Sequence, residues 1–371
     1  MHHPTRVLHF VTGGFTGGAT QVAIKLVTAA LHDPQIEALL VVRRKRHTDP
    51  SRIEELRQRG IRVLAVPGWS HIATVVALIR ICREFRPTVL FAHGFSEHLW
   101  GRYAGWLAGV PYLVHVEHNT RERYSFWRLA QARWLARKTA RIVGCSEGVR
   151  RRLLELGFPA DRVMAIDNGI NLEPFADAER QSFSARAPAI VMVARFARQK
   201  DHSTLLQAVA LLRERGLQPM VYLAGGGRDH HRKAVQKLAR ELGIDAQIHC
   251  LGVVRDVPQR LIDARIAVLA THHEGMPLAI IEGMAAGCAV VGSRVPGVQE
   301  IITPEVDGLL AEPRDPRSLA DALARLLQDE ALAARLGATA RRHALERYGL
   351  ERMAKDYAAL VQQLTSEKPL R

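Results

Sequence analysis

No apolar run in these 371 residues approaches the ~18 needed to cross a bilayer as a helix. The N-terminus, MHHPTRVLHFV, enters a strand-like run almost at once and shows no signal-peptide cleavage pattern, so a cytoplasmic location is expected. Cysteine is scarce. Cys82, Cys145, Cys250 and Cys288 stand far apart, with neither C-x-x-C spacing nor a matched histidine pair. They read as small buried or half-buried residues in a reducing compartment, which leaves a zinc site and a redox pair without support. Aromatics make up only 6% while Ala, Leu, Val and Arg abound, favouring α/β layering over an all-β sandwich. Acidic residues are short as well: 37 Asp and Glu against 52 Lys and Arg leave a net charge of +15. That excess implies an anionic partner such as nucleotide phosphates, anionic lipid or nucleic acid.

Strand-like runs alternate with helix-length amphipathic runs along most of the chain. The first half has strand candidates at 6–11, 38–42, 61–66, 88–92, 112–116, 141–145 and 162–166, with helix candidates at 19–31, 51–59, 71–84, 96–108, 125–139 and 147–156 between them. Many of these strands are continuous apolar runs, the mark of a parallel sheet covered on both faces. The pattern breaks at 166–188, a polar, turn-rich stretch with Pro174 and Pro188 that reads as a linker. It restarts with strands at 189–194, 219–225, 247–252, 266–271, 288–293 and 307–312, and residues 330–371 read as helical to the end. Two successive doubly wound α/β domains follow, with ligand positions at the carboxyl ends of their strands.

Three places carry candidate chemistry. After the first strand, VTGGFTGGATQVAIKLV sets Gly13, Gly14, Gly17 and Gly18 before a helix start, where exposed amides can receive an anion. The spacing is not G-x-G-x-x-G, and the second strand runs into VVRRKR instead of an acidic residue, which argues against a nicotinamide dehydrogenase. The Walker pattern is absent too. A glycine loop alone is equally a tight turn or a ligand loop.

In AIVMVARFARQKDHSTLLQAV, Arg195 closes a strand and Lys200 precedes a helix that Asp201 or Ser203 can cap. A guanidinium and an ammonium in one strand-to-helix loop suit a diphosphate. They could also be ordinary surface cations.

The third place is THHEGMPLAIIEGMAAGCAVVGS, with Glu274 and Glu282 eight positions apart. On one helix they would lie about 12 Å apart, beyond both the retaining (about 5–5.5 Å) and the inverting glycosidase separations. Pro277 is a natural first helical residue, which puts Glu274 in the preceding loop and Glu282 in the second helical turn. The amides of Gly275, Met276 and Leu278 then lie at the positive end of the helix dipole. The glutamates read as hydrogen-bonding anchors for ligand hydroxyls, which favours sugar and ribose recognition over proton transfer.

Residues 120–155 concentrate ten basic side chains against three Glu, with Tyr124, Phe126, Trp127 and Trp134 interleaved. This segment fits a helix lying in an anionic membrane interface, through Arg128 and Arg133 among others. It equally fits a solvated helix with its aromatics in the core.

The second half resembles the nucleotide-binding domain of retaining GT-B glycosyltransferases of family 4, on ARFARQKD, YLAGGG, LGVVRDVP, HHEGMPLAIIEGMAAGCAVVGS and GVQEII…DGLL. The first half matches more loosely, on TGGFTGGAT, FAHG, VEHN, GCSEGVR and IDNGIN. The resemblance implies a GT-B architecture, two Rossmann-like doubly wound domains facing across a cleft. It places an acceptor-binding domain at 1–175, a nucleotide-sugar domain at 176–345, and a terminal helix at 346–371 packing back on the first.

It further implies that Arg195 and Lys200 neutralise the donor diphosphate and that Glu282 binds ribose hydroxyls. Glu274 and the 275–278 amides, Pro277 included in that turn, would hold the hexose. Val254 and Arg255 would flank the base, and Gly225 would border the donor. Gly14 and Gly18 would approach the phosphates and acceptor. His118 matches a histidine that contacts the donor sugar, and His93 is a weaker acceptor-side candidate. A single histidine at a strand end is also often just a hydrogen-bonded structural residue, the reading that fits His93 better than His118.

No cofactor or divalent metal is implied, since the cations take that role; the substrate is a nucleotide-diphosphate sugar, UDP-sugar first. The expected activity moves a hexose or N-acetylhexosamine, with retention, to a glycan or lipid-linked acceptor in cell-envelope polysaccharide or lipopolysaccharide synthesis. The enzyme would sit in the cytoplasm, peripherally on the inner membrane face, with an anionic membrane surface and no nucleic acid as partner. Ala19, Thr20 and Gln21 depart from a small residue and Glu often found after the glycine loop in related sequences, a departure that bears on acceptor chemistry. A GT-B hydrolase or epimerase and a charge-driven nucleic-acid-binding protein are the competing readings.

Overall fold

The computed structural model describes residues 4–15, 17–46, 48–94, 97–120 and 124–369. The chain divides into two units: Met1–Gly169 with Leu350–Arg371, and Ile170–Gly349. Each is built on one parallel sheet. In the first unit the strands are β1 (Thr5–Thr12), β2 (Ile36–Arg43), β3 (Val63–Val66), β4 (Val89–His93), β5 (Tyr112–Glu117), β6 (Arg141–Gly144) and β7 (Val163–Ala165), in the order β3-β2-β1-β4-β5-β6-β7. The second unit has β8 (Ala187–Val193), β9 (Val221–Ala224), β10 (Ile248–Gly252), β11 (Ala264–Leu269), β12 (Ala289–Ser293) and β13 (Leu309–Ala311), in the order β10-β9-β8-β11-β12-β13. These are two parallel, Rossmann-like sheets, one in each unit, as the resemblance leads one to expect.

The apolar runs explain the sheets. Every residue of β4, β5 and β12 is buried, because helices cover both faces of each sheet and leave no side for an alternating polar pattern. Strand order reverses between β1 and β4 in the first unit and between β8 and β11 in the second. At such a switch point the loops leaving adjacent strands run to opposite faces, opening a crevice at the carboxyl ends.

Two expectations need correction. The stretch 166–188 is not a free linker. From Ile170 it belongs to the second unit, with 3-10 turns at Glu173–Glu179 and Phe183–Ala185 and with Phe175 and Ala178 buried. Its few apolar residues are the ones that pack, which its polar composition conceals. The unit divisions accordingly fall after Gly169 and Gly349, not at 175 and 345.

The C-terminal run is two helices, Glu330–Arg347 in the second unit and Leu350–Ser366 in the first. Met353, Tyr357, Leu360, Val361 and Leu364 of the last helix join Val7, Val22, Leu26, Phe91 and Val114 in one core cluster. Five such buried side chains contribute on the order of 1.5–3 kcal/mol each at the upper bound.

Candidate functional site

In the second unit the singled-out residues gather on loops that leave β8, β9, β10 and β11. Arg195 follows β8 by two residues and is exposed. Lys200 ends the same loop, and Asp201 caps helix His202–Glu214 by accepting from the Thr204 amide at 3.3 Å. Opposite it, the chain leaving β11 folds back onto this turn. The His272 amide donates to the Gln199 carbonyl at 2.9 Å, the Asp201 amide to the Ala270 carbonyl at 3.0 Å, and the Gln199 side chain to the His273 carbonyl at 2.7 Å.

These bonds clamp the two loops together and bring Lys200 onto Glu274. Their side chains form an ion pair, 15% and 9% exposed respectively. The same Glu274 oxygen, Oε1, accepts from the Thr271 hydroxyl at 2.7 Å. Sequence reasoning gave Lys200 and Glu274 separate tasks on diphosphate and hexose. Here they are partners across 74 residues, because β8 and β11 are neighbours in the sheet. Thr271 and Gln199, which hold the pair, were not singled out.

Gly275, Met276 and Pro277 are buried, and Leu278 opens helix Leu278–Ala285 with Pro277 as its N-cap, one position from the predicted start. Glu282 lies half-buried one turn into that helix. Gly225, at the end of β9, has φ +153°, and a Cβ there would stand 2.1 Å from the Ala194 carbonyl oxygen. Only glycine lets β9 run so close beside the loop that carries Arg195. Val254 and Arg255 lie in the turn between β10 and helix Val257–Ile262, Arg255 exposed and Val254 half-buried. A residue not singled out, Gly297, packs against the loop backbone: a Cβ on it would lie 2.6 Å from the carbonyl oxygens of both Glu274 and Gly275.

In the first unit, Gly14 lies between β1 and helix Gly18–Ala30, whose first residue is Gly18. A Cβ added to either would meet no heavy atom within 4 Å, whereas one on Gly13 would strike Thr48 and the Arg43 carbonyl. Packing among the described residues thus requires glycine at 13 and leaves open space at 14 and 18. Gln21 donates to the Phe15 carbonyl, so the residue that departs from the related pattern braces the glycine loop.

His93 ends β4 and is buried; His118 follows β5 and is half-buried. The two are linked by a 3.3 Å contact between His93 Nδ1 and His118 Nε2, and His93 Nε2 lies 3.0 Å from His9 Nδ1. Burial lowers the His9 pKa to about 3 and that of His118 to about 4. Burial first, then the charges of His9 and His118, push His93 well below the ordinary value. All three imidazoles are neutral at neutral pH.

Glu117 accepts from the His118 amide at 2.8 Å and from the Tyr124 hydroxyl at 3.3 Å. His98, His115 and Glu117 bring ligand-type atoms within 4.8 Å of one another. His98, however, already meets the buried Arg102 at 2.7 Å and Tyr124 at 3.1 Å through its two ring nitrogens. That cluster surrounds a buried guanidinium, a poor neighbour for a cation.

Helix Phe126–Ala136 corrects the view that its aromatics fill the core. Phe126 and Trp127 are 79% and 74% exposed, and Trp134 is partly exposed at 42%. Its buried side is Ala132, Leu135 and Ala136. Arg128 is exposed, whereas Arg133 donates to the Leu156 carbonyl at 2.7 Å and so is tethered to the protein. Arg121 and Arg123, part of the same basic segment, lie outside the described residues. No described helix is long and apolar enough to cross a membrane.

Comparison with known proteins covers nearly the whole chain. Residues 176–343 match the family model of glycosyl transferases group 1, and residues 16–174 that of glycosyltransferase family 4. The lipopolysaccharide core biosynthesis glycosyltransferase LpsE of Rhizobium meliloti is 26% identical over 360 residues, 96% of this chain and 98% of its own. The Escherichia coli UDP-Gal:alpha-D-GlcNAc-diphosphoundecaprenol alpha-1,3-galactosyltransferase is 26% identical over 281 residues, 70% of this chain and 71% of its own. Among solved structures, Anabaena HepE in complex with UDP and glucose superimposes with a TM-score of 0.83 at 20% identity, over 97% of this chain and all of that one.

Proposed function

The chain belongs to the group 1, family 4 type glycosyltransferases, and from that premise we propose that it is a retaining, metal-independent enzyme. It moves a hexose or N-acetylhexosamine from a UDP-sugar to a lipid-linked or polysaccharide acceptor. The observation that carries this reading is the Lys200–Glu274 pair, fixed by Thr271 beside the Gly275–Leu278 turn at the carboxyl ends of β8 and β11.

As the bond from the anomeric carbon to the diphosphate breaks, negative charge builds on the leaving oxygen. Lys200, 15% exposed, offsets that charge in a partly desolvated place, where a fixed cation acts far more strongly than in water. The exposed Arg195 adds a second cation from the same loop. The Glu274 carboxylate holds Lys200 in position, the amides at the helix start take phosphate or sugar oxygens, and Glu282 accepts from ribose hydroxyls. Val254 and Arg255 flank the base. The family resemblance assigns His118 to the donor sugar, and Gly14 and Gly18 leave room for the backbone to approach a ligand. The acceptor hydroxyl attacks from the face the diphosphate leaves, its proton passing to the departing phosphate oxygen, so the anomer is retained without a protein nucleophile.

Melting curves with UDP-, GDP- and ADP-sugars in the presence of a chelator test the donor assignment. UDP-sugars are expected to raise the melting temperature, and Glu282→Ala to weaken their binding about tenfold or more through loss of a charged hydrogen bond. Absence of any shift, or a shift that requires added Mg²⁺, would sink the assignment.

A lipid-linked acceptor is supported by the diphosphoundecaprenol substrate in the name of the E. coli relative and by large apolar side chains exposed in the first unit. Trp69 and Ile72 are 85% and 77% exposed. Phe126 and Trp127 are 79% and 74% exposed and are followed in sequence by the exposed Arg128. Exposed aromatics beside cations suit an anionic membrane interface. The double substitution Phe126→Ser, Trp127→Ser is expected to reduce co-sedimentation with anionic liposomes severalfold by removing buried apolar contact. Unchanged co-sedimentation would remove the membrane from the account.

A further inference from the structure

Three histidines sit in a row because three strands do. His9 is on β1, His93 ends β4 and His118 follows β5, and β1, β4 and β5 are consecutive in the sheet. Their rings stack in series, His9 on His93 at 5.3 Å between centroids and His93 on His118 at 5.6 Å. His9 also lies flat against Phe91, at 4.9 Å and 7°. Two hydrogen-bond contacts run through the series: His9 Nδ1 to His93 Nε2 at 3.0 Å, and His93 Nδ1 to His118 Nε2 at 3.3 Å.

Each neutral imidazole carries one N–H and one lone pair. In each contact one nitrogen must donate and the other accept, so the direction chosen at His9 propagates. If His9 donates from Nδ1, His93 donates from its own Nδ1 and His118 accepts at Nε2, leaving its N–H on Nδ1. If His9 accepts, both bonds reverse and His118 Nδ1 becomes an acceptor. The series therefore has two states and no mixed one.

The outer ends of the chain differ from its interior. His118 Nδ1 is itself buried and makes no hydrogen bond among the described residues, a polar atom that a ligand hydroxyl would satisfy. His9 lines a cavity of about 540 Å³ together with Phe91, Leu26 and Tyr357, so that end faces open space instead of packed core.

We propose that His9 and His93 are positioning residues that fix the tautomer of His118, and with it whether His118 Nδ1 offers a proton or a lone pair to a donor-sugar hydroxyl. This rests on the assignment of His118 to the donor sugar made above. A ring nitrogen's role is set by the bond its partner nitrogen makes, and a hydroxyl contact of the wrong polarity leaves two like groups facing each other. Neither His9 nor His93 touches substrate in this account. The strand sequence RVLHFV gives no hint of such a role for His9.

The test is nitrogen-15 NMR on full-length protein labelled at histidine, with turnover measured on the same samples. In the wild type, His118 is expected to show one tautomer. His93→Phe keeps a flat ring in the stack and severs both hydrogen bonds, so His118 should then show a mixture. Its kcat should fall about tenfold with donor KM little changed, the signature of an interaction used in the transition state and not in ground-state binding. His9→Phe should act in the same direction, more weakly, and serves if His93→Phe does not fold. His93→Asn, with one donor and one acceptor on its amide, should recover part of both effects.

A His118 spectrum that stays the same in folded His93→Phe overturns the coupling, and a mixed spectrum with full kcat overturns the positioning role. The spectral arm needs no substrate. If it succeeds while no sugar nucleotide is turned over at all, the coupling stands and the donor assignment falls.

Discussion

Lys200→Ala is expected to lower kcat by about 10²–10³-fold, the range for losing one fixed charge-stabilising group in a desolvated site. The side chain is placed for that role by the Gln199 and Thr271 contacts that clamp its loop to the segment after β11. Removing it also takes the ammonium from the carboxylate of Glu274, itself buried. Breaking a buried pair from one side costs roughly 3–5 kcal/mol, so activity and stability would fall together and the two causes must be separated. The double variant Lys200→Met, Glu274→Gln does so, since it removes both charges. Its melting temperature should recover most of what Lys200→Ala loses, while kcat should stay low. If the double variant recovered turnover as well, the lysine would be a structural partner of Glu274 and nothing more.

Gly297→Ala should be nearly as damaging, although position 297 carries no functional atom. The added methyl would lie 2.6 Å from two backbone carbonyl oxygens, those of Glu274 and Gly275. A flexible side chain could swing aside; a carbonyl in a clamped loop cannot. Overpacking of this kind costs about 1–3 kcal/mol, and relief requires the 274–276 segment to move. That segment holds the carboxylate and the first amides at the helix start, so UDP-sugar affinity should drop by about tenfold to a hundredfold for a loop displaced by that energy. Calorimetric titration of the variant reads this directly. Wild-type affinity would show that the loop geometry does not govern binding.

The elements themselves were legible because two simple signals coincide here. Parallel strands such as VLFAH and YLVHVE are covered on both faces and so appear as mostly apolar runs with no polar alternation. The helices between them begin at capping residues, with Ser70, Ser146, Asp201 and Asp315 each accepting from the first turn. The family resemblance was legible for the same reason that the loops were: its motifs sit at strand ends, at predictable places in the pattern.

What escaped was everything that depends on which strands are neighbours. The Lys200–Glu274 pair and the His9–His93–His118 series require the orders β8-β11 and β1-β4-β5, and a linear pattern does not carry strand order. Thr271 looked like the last residue of a strand and His9 like filler within one. Gly297 gave no signal beyond its place in VPGVQE, since its reason for being glycine is a contact with residues more than twenty positions earlier. The segment 166–188 misled in the opposite way. Its polar composition hid Phe175 and Ala178, which anchor it to the second unit.

The central claim is that this chain transfers a sugar from a nucleotide diphosphate to an acceptor by way of the Lys200–Glu274 site. It is tested most directly by following labelled sugar from UDP-, GDP- and ADP-hexoses into an extracted lipid acceptor, with a chelator present and with Lys200→Ala in parallel. The account predicts label in a lipid-linked saccharide from a UDP-hexose, with the donor's anomeric configuration kept and the variant nearly inactive. Label appearing only as free sugar or as an altered donor would instead mark a hydrolase or an epimerase, and would contradict it.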